Sequence, residues 1–157
     1  MRKLDLIDRK ILNALQEDAD GTVDSVAAKV GLSSTPCWRR ISRLKNEGII
    51  ARTVAIVDPK AIEQDLTAFV SIETSDHGPE WRQGFVAFAA TRPEIMEMHR
   101  LAGEVDYLLK VSVRDMTDYD RFYRELTRAI PPKNIASTFV MERIKEGLAR
   151  PLAIEEE

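Results

Sequence analysis

Apolar residues in this chain recur every three to four positions up to about residue 48. From about residue 67 onward, stretches of two-residue alternation take turns with stretches of helical spacing. Such a change of period predicts a small helical unit followed by a mixed unit of strands and helices. The chain's 157 residues, 44% hydrophobic, suffice for two small cores. A single cysteine, Cys37, excludes an internal disulfide framework and any cysteine-cluster metal site. No apolar run approaches the roughly 18 residues of a membrane span, and Met1-Arg2-Lys3 leads into an amphipathic stretch instead of a signal-peptide core. The expectation is a soluble, cytoplasmic protein.

Charge divides along the same line. Residues 1–53 carry ten Lys/Arg against seven Asp/Glu, and residues 54–157 carry thirteen against nineteen, so a net charge of +3 precedes one of -6. The overall -3 therefore conceals a basic first third.

In that third, Leu4, Ile7, Ile11, Leu12 and Leu15 predict a helix over about 4–18, with Asp5 and Asp8 at its positive end. Asp20-Gly21 breaks it. Thr22 can cap a second helix through Val26, Ala27 and Val30 to Gly31, and Ser33 can cap a third that tolerates Pro36 in its first turn and closes at Gly48. Cys37, Ile41 and Leu44 form the third helix's apolar stripe, opposite Thr35, Arg39, Ser42 and Arg43. The cations Arg39, Arg40, Arg43 and Lys45 are opposed only by Glu47.

Three short helices with a tight turn before a cationic third match a helix-turn-helix, whose second motif helix enters the DNA major groove. Ser34, Thr35, Trp38, Arg39, Arg40, Ser42 and Arg43 are the candidate contacts to double-stranded DNA. Arg39 and Arg43 are assigned to guanine edges and Arg40 to phosphate. Trp38, at the margin of the stripe, is expected to pack and to shield a phosphate contact, and Cys37 to sit in the core.

Ile49–Val57 reads as an extended connector stopped by Asp58-Pro59. The division expected is a DNA-binding domain over 1–50, a linker over 51–64 and a second domain over 65–157. In the second domain Thr67–Thr74 alternates as a strand, and Trp81, Phe85 and Phe88 mark a helix ending before Pro93. Ile95–Leu101 and Val105–Val113 form a hairpin around Ala102-Gly103-Glu104. Tyr119, Phe122, Leu126 and Ile130 mark a second helix ended by Pro131-Pro132, and Ile135–Lys145 reads as a last strand. The order βαββαβ implies a ferredoxin-like sandwich, so the fold class is α+β. Two helices cover only one sheet face, and apolar residues on both faces of the last strand (Val140 and Ile144, Phe139 and Met141) predict a homodimer.

These residues together resemble the Lrp/AsnC (feast/famine) family of transcription regulators. The resemblance is carried by Leu4-Asp5 with Asp8 and Ile11-Leu12, and by Gly31-Leu32-Ser33-Ser34-Thr35-Pro36-Cys37 followed by Arg40, Leu44, Gly48 and Ile50. It extends to Gly103-Glu104-Val105-Asp106-Tyr107-Leu108-Leu109 and Met141-Glu142-Arg143-Ile144-Lys145. Ile130-Pro131-Pro132-Lys133 departs from the Pro-Gly-Val common after the second helix of the family. The resemblance implies dimers formed through the C-terminal sheet, often assembled into octamers, and an amino acid as effector, bound between dimers. By motif the effector residues are Leu101, Gly103, Glu104, Asp106 and Tyr107, with Met116, Thr138 and Val140 on the other walls.

Asp106 suits an α-amino group, or alternatively fixes the hairpin through backbone bonds. No cofactor, metal or catalytic residue is implied. Two rival functions stay open at the level of sequence. One is a tetrapyrrole-pathway decarboxylase, whose architecture is similar and for which His99 would be the candidate, His77 being expected in an exposed turn; the other is an architectural DNA-binding protein without effector.

Overall fold

The structure, a computed structural model, describes residues 4–154. The Met1-Arg2-Lys3 start and the acidic Glu155–Glu157 end, expected to be solvated, lie outside the described residues. The chain divides into two compact units. The first contains the described residues up to Ile56 and those from Ile144 onward; the second is Val57–Arg143.

In the first unit, α1 (Leu6–Glu17), α2 (Val23–Val30) and α3 (Ser34–Asn46) surround one core of Ile11, Leu12, Ala14, Val26, Ala27, Val30, Cys37, Ile41 and Leu44. Asp5 and Asp8 cap α1 reciprocally. The Asp8 amide donates to Asp5 Oδ1 at 2.8 Å and the Asp5 amide to Asp8 Oδ2 at 3.3 Å, so the helix begins at Leu6 and Asp5 stands just outside it. Thr22 accepts the Ser25 amide at 3.2 Å, and Gly31 ends α2 at φ 72°, a conformation that strains a side-chain-bearing residue. Ser33 occupies the cap position of α3 without a side-chain cap bond; the neighbouring Ser34 hydroxyl instead donates to Asp24.

The chain's last described segment packs here too, whereas residues 65–157 were expected to form one domain. Leu152 adds to the helical core. The Gln16 side-chain amide donates to the Arg150 carbonyl at 3.1 Å and accepts the Arg150 amide at 2.6 Å, as a neighbouring strand would, and Arg9 Nη1 reaches the Ala153 carbonyl at 3.1 Å.

The second unit has strands β1 (Leu66–Glu73), β2 (Ile95–Arg100), β3 (Tyr107–Val113) and β4 (Asn134–Phe139) in the order β2-β3-β1-β4, all antiparallel. Helix α4 (Pro79–Ala90) follows β1 and α5 (Met116–Ala129) follows β3, giving the expected βαββαβ order. Both helices bury their apolar residues on one sheet face. Ala68, Val70, Ile72, Tyr107, Leu109, Val111 and Val113 from the strands meet Phe85, Tyr119, Phe122, Leu126 and Ile130. Edge-to-face rings organise this core, with Phe85 5.1 Å from Tyr107 and Tyr119 4.8 Å from Phe139 between centroids. The chain is therefore α+β, a helix-turn-helix followed by a ferredoxin-like sandwich.

The last strand is shorter than its alternation suggests. β4 stops at Phe139 instead of Lys145 because β1, its only neighbour, begins at Leu66; the Val140 amide makes the last cross-strand bond, to Thr67, at 2.9 Å. Phe139 faces the core, while Met141 and Ile144 lie beyond the strand and are almost fully exposed. The open sheet face is carried instead by Phe69, Leu108, Ala136, Thr138 and Val140, with Lys110 bound to Glu97 at 3.1 Å. No described helix is long and apolar enough to cross a membrane.

Candidate nucleic-acid interface and effector loop

Helix α3 presents two kinds of polar residue. Ser34, Thr35, Trp38 and Arg39 are exposed. Arg40, Ser42 and Arg43 are half-buried, and both arginines turn toward the start of α1. Arg40 Nη1 lies 2.7 Å from Asp5 Oδ2 and 2.8 Å from Asp8 Oδ1, and Arg43 Nη2 lies 2.6 Å from that same Asp8 oxygen. The Asp8 side chain is only 1% exposed. Partial burial pushes the Asp5 carboxyl up, but its bonds to Arg40 and the Asp8 amide reverse this and leave it below the ordinary carboxylate range. Its partner Arg40 is raised by the bonds to Asp5 and Asp8.

Arg39, Arg40, Arg43, Pro36 and Asp5 line one open concavity on this surface. Arg39 forms no ion pair among the described residues and is the fully available cation of the three arginines. Trp38, expected to pack, is 58% exposed, because it follows Cys37 by 100° of helix rotation and leaves the apolar stripe altogether. Cys37 is fully buried, and burial pushes its thiol up, away from reactivity.

The hairpin between β2 and β3 spans 101–106, so Val105 and Asp106 belong to the loop and not to the strand. Leu101, Gly103 and Glu104 are exposed. The Leu101 amide donates to the Asp106 carbonyl at 2.8 Å and closes the loop, while the amides of Gly103 and Glu104 make no backbone bond among the described residues. Gly103 has φ 154° with open space around its missing Cβ.

Asp106 is engaged by its own fold. Its Oδ2 accepts the Thr74 amide at 2.8 Å, its Oδ1 lies 3.7 Å from His77 Nδ1, and its amide donates to the Ile72 carbonyl at 3.0 Å. Tyr107 is buried against Trp81 and Phe85, so its ring serves the core. Met116, Thr138 and Val140 do not join the loop. Thr138 pairs with Phe69, level with Lys110 in the middle of β3; Val140 bonds to Thr67 farther along, and Met116 opens α5 beyond the end of that strand. The run from Asp106 to Lys110 covers roughly 13 Å, and β4 lies two strands across from β3, so Thr138 stands clear of the loop and Val140 and Met116 stand farther from it.

The sequence reading gave Asp5 and Asp8 only a helix-dipole role; the Asp-x-x-Asp spacing of a capping box was the available signal. Thr74, which holds Asp106, had none. His99, a candidate for catalysis, is exposed on β2 with Nε2 3.0 Å from Glu97 Oε2; its bond, with that of Lys110, lowers the Glu97 carboxyl.

Comparison with known proteins gives two matches along the chain. Residues 67–149 match the Lrp/AsnC ligand binding domain, and residues 4–51 match a winged helix-turn-helix DNA-binding domain. The chain belongs to the Lrp/AsnC family. It is 43% identical over 150 residues to the DNA-binding transcriptional activator DecR of Escherichia coli, covering 95% of this chain and 99% of that one. It is 40% identical over 152 residues to the glutamate uptake regulatory protein of Zymomonas mobilis, with 97% and 93% covered. An AsnC family regulator from Agrobacterium tumefaciens superposes with a TM-score of 0.91 at 44% identity, covering 94% of this chain and 97% of that one. A Neisseria meningitidis regulator in complex with L-Met does so at 0.90 and 31%, covering 95% and 97%. These relatives are named regulators of transcription, not enzymes.

Proposed function

We propose that this Lrp/AsnC chain is a cytoplasmic transcription regulator that binds double-stranded DNA through α3 and responds to an amino acid at the loop 101–106. The observation that carries the DNA assignment is the polarity of α3. Cys37, Ile41 and Leu44 fix one side in the core, and Ser34, Thr35, Trp38 and Arg39 are exposed on another. Arg39 reads a base edge or phosphate directly; Ser42, Arg40 and Arg43 contribute from the half-buried flank.

The effector assignment rests on the family and on the L-Met complex of the Neisseria relative. In the loop, the Gly103 and Glu104 amides suit a carboxylate, and Leu101 and Asp106 stand beside them. Met116, Thr138 and Val140 are too distant to complete that site within one chain. A pocket containing both groups needs a second copy, which supports a homodimer through the open sheet face and further assembly into octamers.

Binding of a duplex selected by this protein from a random pool, followed by fluorescence anisotropy, tests the DNA assignment. Affinity should fall by about 10³-fold or more between 50 and 200 mM salt if six or more phosphates are neutralised. A selected duplex bound no better than its scrambled counterpart would leave an architectural role; no binding at any salt would overturn the reading.

A further inference from the structure

We propose that Asp8, on α1, is a positioning residue for DNA recognition, holding Arg43 and Arg40 of α3 in the arrangement that reads sequence. This inference rests on the DNA-binding reading of α3.

Burying a carboxylate this deeply costs free energy unless it is paired and hydrogen-bonded. Here one oxygen, Oδ1, receives both guanidinium groups, at 2.8 Å from Arg40 and 2.6 Å from Arg43, while Oδ2 is fixed by the Asp5 amide. The capping box therefore does more than begin a helix; it holds the carboxylate on which two arginines of another helix converge. Each guanidinium has five N–H donors, so binding one or two oxygens leaves several for DNA. The side chains of Arg40 and Arg43 are 31% and 26% exposed; the Nε–H of Arg43 is itself buried, so the terminal nitrogens are the donors left for DNA. Arg39 lines the same concavity, so three cations crowd one surface; the Asp5 and Asp8 charges let two of them stand close together.

An arginine already held before DNA arrives loses little rotamer freedom on binding. Simple electrostatics predicts the opposite benefit from removing Asp8, since an acid near phosphates should weaken every complex. The two effects separate on different DNA. Loss of the Asp8 charge should hold or raise affinity for arbitrary duplexes and lower it for the preferred one.

The test uses the full chain, the duplex selected by the wild type and its scrambled counterpart, with melting curves confirming that each variant is folded at the assay temperature. Asp8→Asn is expected to reduce the ratio of selected to scrambled affinity by about tenfold, the order for releasing two ordered arginines, without weakening the scrambled complex. In an Arg43→Gln background the same change should cost about threefold or less. Should Asp8→Asn be unfolded, Asp8→Glu makes the comparison, because glutamate keeps an acidic capping-box residue and moves the carboxylate by one methylene out of its place between the two arginines; a reduced ratio supports the proposal and an unchanged one overturns it.

Parallel loss on both duplexes, an unaltered ratio, or an undiminished effect in the Arg43→Gln background overturns it likewise. If the wild type binds no DNA, the underlying reading fails and this inference with it. If the wild type discriminates and Asp8→Asn does so equally, only the inference fails.

Discussion

Three arginines lie within five positions of α3, and their surroundings make them unequal. Arg39→Ala removes an exposed cation without an ion pair, so DNA affinity should fall while the melting free energy stays within about 0.5 kcal/mol of wild type. Arg43→Ala takes one of two guanidinium partners from buried Asp8 and should destabilise by about 3 kcal/mol, readable by urea denaturation. Equal stability of the two variants would contradict the assignment. Cys37 adds a simpler check. Its buried, raised thiol should resist alkylation in the native protein and react at once in denaturant. The outward position of Arg39 and the burial of Cys37 could be read from helical spacing alone. Arg43 could not, because a helical wheel knows the direction of a side chain but not that a carboxylate from another helix waits there. Trp38 shows the converse limit, since a large aromatic at the edge of a stripe is assigned to packing by its type and exposed by its angle.

At the scale of elements, caps set where helices begin. Asp115 accepts the amides of Thr117 and Asp118 at 2.8 and 2.9 Å at the start of α5, so Asp115→Ala should cost about 1 kcal/mol in the urea midpoint analysis. No measurable loss would mean that Asp118 and its Arg114 partner hold the turn unaided. The order of helices and strands in this chain is legible because each has its own period and is punctuated by Gly31, Gly48 or a proline. The end of β4 is not. A strand extends only as far as its neighbour, and the alternation of Phe139 to Ile144 carries no record of where β1 begins. The return of Leu152 to the helical core is equally silent in sequence, as a leucine just after Pro151 in so short a segment sets no period. The effector loop is visible through Gly103, but the bond that engages Asp106 comes from Thr74, just past the end of β1 and more than thirty residues away.

The whole molecule is two cores on one chain, and paired carboxylates set how its stability depends on acid. Asp5 lies low chiefly because its bond to Arg40 overcomes partial burial; His99 and Lys110 lower Glu97, and Arg114 lowers Asp118. Each of these groups has a folded pKa below its unfolded value. The stability it contributes is therefore complete above the ordinary carboxylate range near pH 4 and is lost as pH falls through the lower folded value. The urea midpoint should be flat above about pH 5 and fall steadily on acidification, by a modest amount because Asp5, Glu97 and the Arg114 partner of buried Asp118 all stand in solvent. A midpoint that rises between pH 5 and pH 3 would contradict it. In the function proposed for this molecule, one unit binds DNA and the other makes that binding conditional on a small molecule. The most direct measurement is fluorescence anisotropy of the full chain on its selected duplex at one salt concentration, with and without an equimolar mixture of the twenty amino acids. A shift of the binding midpoint by about fivefold or more, in either direction, is the predicted result; two superimposable curves would contradict it.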